Sequence, residues 1–262
     1  MIIDGHSHVI LPAEKHIQIM NQAGVHKTIL FSTSVHPENS IDLQELKIEM
    51  KKLNDVVGGK TPSLIETKRK SINELMTVIN SYPDRYIGFG NVPLGVSEND
   101  TNAYIGENIA NNKLAGIGEF TPASGQVKLL APIFKASMNF GRLPIWIHGF
   151  NPLDLQDIRE IAELCKAYPY IPVILGHLGG SNWMTTIELA KEIRNLYLDT
   201  SAYFSTLVLK IVINEIPQKC IFGVDMPYGD LQLSLDAVRK ICKDSYVEDA
   251  VLGNNIAALL KI

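Results

Sequence analysis

Eight short apolar runs, each followed by a stretch of helical amphipathicity, pace this chain from end to end. That alternation limits its fold more than any other feature. The runs cover residues 2–8, 27–32, 86–92, 115–120, 144–148, 172–177, 196–200 and 220–225. Most are apolar along their whole length, the pattern of strands covered on both faces. Helix-like segments such as 13–23, 153–167 and 231–243 fall between them. Regular strand–helix alternation implies a parallel sheet. Eight such units in about 250 residues imply a closed (β/α)8 TIM barrel. The rival, an open doubly wound sheet, favours in its nucleotide-binding form a glycine-rich turn after the first strand, and none follows residues 2–8.

The rhythm breaks once, at residues 35–84, a polar segment rich in Lys and Glu. It contains helical stretches at 42–53 and 63–81 around the flexible Val57-Gly58-Gly59-Lys60. Lying between strands two and three, this helical insertion is expected on the carboxyl face of the barrel, as a lid, an interface or a solvated addition. The 262 residues suit one barrel domain over 1–262 with the insertion inside it.

In a parallel barrel, function gathers at the carboxyl ends of the strands. The first strand ends in Asp4-Gly5-His6-Ser7-His8. Side chains at i and i+2 of a strand share a face, so His6 and His8 present two imidazoles together. Glu119 ends strand four, His148 strand five, His177 strand six, Asp199 strand seven and Asp225 strand eight. Each step is about one β/α unit, so these groups converge on one mouth, and four of the seven histidines are among them. Nitrogen and carboxylate ligands of this kind suit zinc, one ion or two, with manganese, iron or nickel as substitutes. A bound divalent ion brings the pKa of water from 15.7 to about 7, and an adjacent carboxylate can then shuttle a proton.

Asp199 and Ser201 read as an N-cap for a helix starting near Tyr203. His16 and His26 are expected on the far side of the barrel in structural roles, and His36 lies after strand two, outside the strand-end set. Phe150, Trp183, Tyr203 and Tyr228 follow strand ends and are candidates for a pocket wall. No Arg stands immediately after a strand end, so an anionic substrate finds no obvious partner outside the insertion.

Composition narrows the function classes. A net charge of −4 with no basic block argues against nucleic acid as a partner. No segment reaches the roughly 20 apolar residues of a membrane span, and no leader pattern opens the chain. Cys165, Cys220 and Cys242 are widely spaced and form no Cys-x-x-Cys pair, which fits a reducing cytosol. A cytoplasmic protein acting on a small molecule is the expectation, with the insertion a natural surface for a homo-oligomer.

The motifs also carry a resemblance. Ile3-Asp4-Gly5-His6-Ser7-His8, Pro144-Ile145-Trp146-Ile147-His148, Val173-Ile174-Leu175-Gly176-His177-Leu178-Gly179-Gly180 and Leu198-Asp199-Thr200-Ser201 stand in family order. Phe222-Gly223-Val224-Asp225-Met226-Pro227 and Leu252-Gly253-Asn254-Asn255-Ile256-Ala257 complete the series. The chain resembles the amidohydrolase superfamily, in the amidohydrolase-related branch that also holds aminocarboxymuconate-semialdehyde decarboxylase. The resemblance implies that His6, His8 and His148 bind metal. It makes His177 either a ligand to a second ion or a proton donor and substrate contact. Asp225 would contact the metal and act as general base. Many members use a carboxylated Lys on strand four to bridge two metals; here that place holds Glu119. TatD-type nucleases also place a Glu there, but their Gly-Leu-Asp continuation is replaced by Phe120-Thr121-Pro122.

Three functions are consistent with these residues. The leading expectation is a metal-dependent hydrolase of a C–N or ester-type bond in a small molecule, with Asp225 and His177 catalytic. The alternative is a non-oxidative decarboxylase on the same scaffold. A third is a binding barrel around a closed structural zinc.

Overall fold

The computed structural model describes residues 1–57 and 65–262. Its strands are β1 (Ile3–His8), β2 (Lys27–Phe31), β3 (Tyr86–Gly90), β4 (Gly116–Phe120), β5 (Ile145–Ile147), β6 (Val173–Leu175), β7 (Leu196–Asp199) and β8 (Cys220–Ile221). They pair in parallel in chain order from β1 to β8. The ring closes where the Gly5 amide donates to the Phe222 carbonyl at 2.7 Å and the Asp225 amide donates to the His6 carbonyl at 2.6 Å. A parallel bridge between Ser7 and Met226 continues the closure. The expected (β/α)8 barrel is the fold.

Around it run α1 (Ala13–Ala23), α2 (Leu43–Val57), α3 (Ile65–Ser81), α4 (Glu98–Ile105), α5 (Ala131–Asn139) and α6 (Leu155–Ala167). They are followed by α7 (Trp183–Glu192), α8 (Thr206–Glu215), α9 (Leu231–Ile241), α10 (Ser245–Asp249) and α11 (Asn255–Leu260). Their ends have local causes. The Asp154 side chain accepts from the Gln156 and Asp157 amides, and Asp157 reciprocates on the Asp154 amide, a capping box that starts α6. Gly24 stops α1 in a left-handed conformation at φ 72°.

Apolar side chains fill two shells. Ile3, Ile29, Phe31, Phe89, Trp146, Ile174 and Ile221 pack inside the ring, while a larger cluster lies between strands and helices. The inner shell is tight enough to dictate glycine on β4: a Cβ on Gly116 would lie 2.1 Å from the Phe89 ring. No helix among the described residues is long and apolar enough to cross a membrane.

The segment 35–84 divides into two parts with different duties. Helix α3 buries Ile72, Leu75 and Val78, and Leu75 and Ile79 crowd Gly88 of β3. It is therefore the crossover helix of the second β/α unit rather than inserted material. The addition proper is the turn at Pro37–Asn39 and helix α2, which buries no residue fully. Residues 58–60 of the glycine-bearing link, and the start of the second helical stretch at 63–64, lie outside the described residues.

Candidate metal centre

The last turns of the strands, together with the residues just beyond them, form the floor of the open end. His148, His177 and Asp225 stand past the strands that deliver them, because the chain turns sharply there. His177 has φ 56° and Asp225 φ 63°, left-handed conformations that cost a non-glycine residue on the order of 1–3 kcal/mol. Such strain persists only where surrounding contacts over-determine the backbone, and it gathers at functional sites.

From β1, His6 and His8 point to the mouth as their spacing predicts. The His6 ring is fixed at one nitrogen: Nδ1 lies 2.6 Å from Asp199 Oδ2, and both residues are buried. Its Nε2 is buried with no hydrogen-bond partner, 3.6 Å from Glu119 Oε2 and 3.8 Å from Asp225 Oδ1. His8 Nε2 lies 3.2 Å from Asp225 Oδ1 and 3.9 Å from Glu119 Oε2.

On the other side, His148 Nε2 donates to the Asn151 carbonyl at 3.0 Å, which turns the Nδ1 lone pair inward. That Nδ1 is 3.1 Å from His177 Nε2 and 3.2 Å from Glu119 Oε1. His177 Nε2 is itself 3.3 Å from Glu119 Oε1, and its Nδ1 meets the Ser201 hydroxyl at 2.9 Å. Glu119 thus straddles two groups, with Oε2 toward His6 and His8 and Oε1 toward His148 and His177.

An imidazole lone pair and a carboxylate oxygen this close repel unless a proton or a cation lies between them. The buried, partnerless His6 Nε2 makes the same demand. These residues fit a divalent ion on their donor chemistry: His6, His8 and Asp225 offer ligand atoms within 4.8 Å of one another, as do Glu119, His148 and His177. Burial opposes charge on His6, Glu119 and His177, yet mutual attraction prevails. The carboxylates of Asp199 and Glu119 hold His6 well above the usual imidazole range. Against the same burial, the charge of His6 and the contact with His148 hold Glu119 well below the carboxylate range. For His177, burial is outweighed by the Glu119 hydrogen bond and the Asp225 charge, and its proton is held more tightly than usual.

His6, His8, Glu119, His148, His177 and Asp225 are therefore brought together at the mouth. Asp199 is a correction. It does not cap a helix, since the N-cap of α8 is Ser205. Its Oδ2 takes a second hydrogen bond from Trp146 Nε1 at 3.2 Å, and its Oδ1 accepts from the Ser201 amide at 2.6 Å. A Cβ on Gly223 would lie 2.7 Å from Asp199 Oδ1, so glycine there makes room for this carboxylate. Asp4, also missed, accepts from the Ser7 hydroxyl and from the His6 and Val224 amides, tying β1 to the loop that carries Asp225. Burial pushes its carboxyl up to about 7.

The remaining histidines stay away from the floor. His16 is buried beneath α1, His26 Nδ1 accepts from the Ile2 amide, and His36 is held between Glu38 and Glu74 at 3.1 Å each. Above the floor lies a cavity of about 420 Å³, in the range of small-molecule sites. Phe150 and Tyr228 line it as expected, whereas Trp183 and Tyr203 pack against the core. Met50, Leu53, Val56 and Val57 of α2 and Lys68 of α3 also face it. Nothing after a strand end had pointed to Lys68.

A parallel barrel with histidines and carboxylates converging at its carboxyl rim is the architecture of the metal-dependent barrel enzymes. The family model described as amidohydrolase matches residues 52–262, and the chain belongs to that family, in the amidohydrolase-related branch. No curated protein matches the sequence significantly. Among solved structures it is similar to a 5-carboxyvanillate decarboxylase from Sphingomonas paucimobilis, at 16% identity and TM-score 0.70, covering 100% of this chain and 99% of the other. It is also similar to a dihydroxybenzoic acid decarboxylase from a Polaromonas species, solved with manganese and the inhibitor 2-nitroresorcinol, at 16% identity, TM-score 0.68, and 99% and 96% coverage. A probable 2-pyrone-4,6-dicarboxylic acid hydrolase from Acinetobacter baumannii, with citric acid bound, matches at 13% identity, TM-score 0.63, and 100% and 99% coverage. At these identities the likeness is one of fold.

Proposed function

We propose that this chain is a divalent-metal-dependent enzyme that removes carbon dioxide, without oxidation, from a small and largely apolar carboxylic acid. The observation that carries the reading is the convergence of unshared imidazole and carboxylate lone pairs on the floor of a cavity whose wall includes the apolar side chains Met50, Leu53, Val56 and Val57. Supporting it, the solved relatives of like fold include decarboxylases of aromatic acids, one of them with manganese. This places weight on what the sequence left as the alternative, rather than on the hydrolase expected first.

His6, His8, Glu119, His148 and Asp225 would hold the ion, with His177 beside them as proton donor. A divalent ion there supplies Lewis acidity toward substrate oxygens, a role open to zinc or manganese. The chain's own residues do the rest. Asp199 holds the His6 ring with Nε2 turned to the floor. Helix α2 lines the cavity with Met50, Leu53 and Val57 and would shield the bond that breaks from bulk water. In decarboxylation the carbon–carboxyl bond breaks, its electron pair stays on carbon, and one proton replaces the departing carbon dioxide. His177, held at Nδ1 by Ser201 with Nε2 toward the floor, would give that proton.

Hydrolysis is the second reading, favoured by one feature: the two Glu119 oxygens face separate histidine pairs, an arrangement suited to two ions. Asp225 would then take the proton from the attacking water.

Isotopes separate the two. Metal-loaded protein is given a panel of small unsaturated and aromatic acids, esters and amides in D2O and in 18O-water. Decarboxylation yields carbon dioxide and a product with one deuterium on carbon and no 18O. Incorporation of 18O without carbon dioxide release, from esters or amides, would reject the first reading in favour of the second.

A further inference from the structure

We propose that Lys68, projecting into the cavity from the helix that follows the addition, is the residue that selects a carboxylate on the substrate. The proposal rests on the small-acid reading of the same site and names what recognises the acid.

Among the side chains that line the cavity, the charged ones fall into two sets. His8, Glu119, His148, His177 and Asp225 belong to the floor, where each charge already has an opposing partner or an ion to bind. Lys68 stands apart, contributed by α3, and shares the wall with Met50, Leu53 and Val57 of α2. Among the described residues no carboxylate lies within ion-pair distance of its Nζ. Lys51 and Lys52 of α2, by contrast, are paired to Asp55 and Glu49.

Loss of solvent alone pushes the Lys68 ammonium down to about 8, so it is still charged at neutral pH but poorly compensated. A flexible ammonium among apolar neighbours gains most from a ligand that brings both an anion and an apolar body. A small carboxylic acid supplies both. The absence of an Arg after any strand end leaves this Lys, from outside the strand-end set, as the cationic partner of such a group.

The test uses matched acid and amide pairs: benzoate with benzamide, 4-hydroxybenzoate with 4-hydroxybenzamide, and phenylacetate with phenylacetamide. Binding is measured calorimetrically on the metal-loaded protein and again after chelation, so that the contribution of the ion is separated. The wild type is expected to prefer at least one acid over its amide in both states. Lys68→Met, which keeps the length of the stem, should weaken that acid by about ten- to a hundredfold, the range of a hydrogen bond to a charged group, and leave the amide unchanged. Lys68→Arg should retain the preference, which guards against a fold defect in the Met variant. The proposal is overturned if no acid is preferred in the wild type, or if Lys68→Met keeps the preference. Acid selection that depends on Lys68 but never leads to carbon dioxide would instead reject decarboxylation and leave Lys68 in its role. Equal carbon dioxide release by wild type and Lys68→Met, with equal acid affinity, would do the reverse.

Discussion

Replacing Asp199 with Asn changes one oxygen to an amide nitrogen of nearly the same size, at a site where all neighbours are donors. Asp199 Oδ2 accepts from His6 Nδ1 at 2.6 Å and from Trp146 Nε1 at 3.2 Å, while Oδ1 accepts from the Ser201 amide at 2.6 Å. Asn has a single acceptor oxygen. If it faces Ser201, the amide NH2 meets His6 Nδ1 and forces that nitrogen to accept, which moves the ring proton to Nε2 and blocks the ligand atom. If it faces His6, the NH2 collides with the Ser201 N–H. Either way, placing His6 Nε2 as a ligand leaves buried donors opposed. Disturbing a carboxylate behind a ligating histidine lowers metal affinity about 10–100-fold, or about 1.4–2.7 kcal/mol. Competition of Asp199→Asn against a chromophoric chelator for zinc and manganese measures this, with circular dichroism to confirm the fold. An affinity within about twofold of the wild type would refute the argument that Asp199 sets the His6 tautomer.

Two further outcomes are expected. His16 is 1% exposed and burial lowers its imidazole to about 4; the unfolded chain takes the proton near 6.5, so stability falls as pH drops from about 6.5 to 4, by about 3 kcal/mol. Denaturant titrations across that window should show the slope, and His16→Leu should flatten it. Phe89→Ala empties the barrel interior beside Gly116 and should cost about 3–5 kcal/mol, read from the shift in the urea midpoint at constant m-value.

The strands were legible because burial on both faces leaves an uninterrupted apolar run, and β1, β2, β4, β5 and β7 begin and end within a residue of expectation. His6 and His8 were legible because a period of two is a backbone property. The ends of β3, β6 and β8 were overextended: His177 and Asp225 follow apolar residues, but the turns that carry them are set by tertiary contacts that leave no local signal. Asp199 was misread because an acid before Thr and Ser has the same local appearance whether it caps a helix or orients a histidine 193 residues away. Helix α3 passed for inserted material since its Lys and Glu outnumber the buried face of Ile72, Leu75 and Val78. Lys68 carried no signal of its own within a segment rich in Lys and Glu.

The central claim is that one divalent cation, at least, is gripped by side chains that meet only at the barrel's rim. Anomalous diffraction from crystals of protein loaded with zinc or manganese, collected on both sides of the metal edge, addresses it directly. A peak within bonding distance of His6 Nε2, His8 Nε2 and an Asp225 oxygen is the expected result, and a second peak between Glu119 Oε1, His148 and His177 would favour the hydrolytic reading. No peak at the rim under saturating metal, or metal bound elsewhere with these side chains unmoved, would contradict the account.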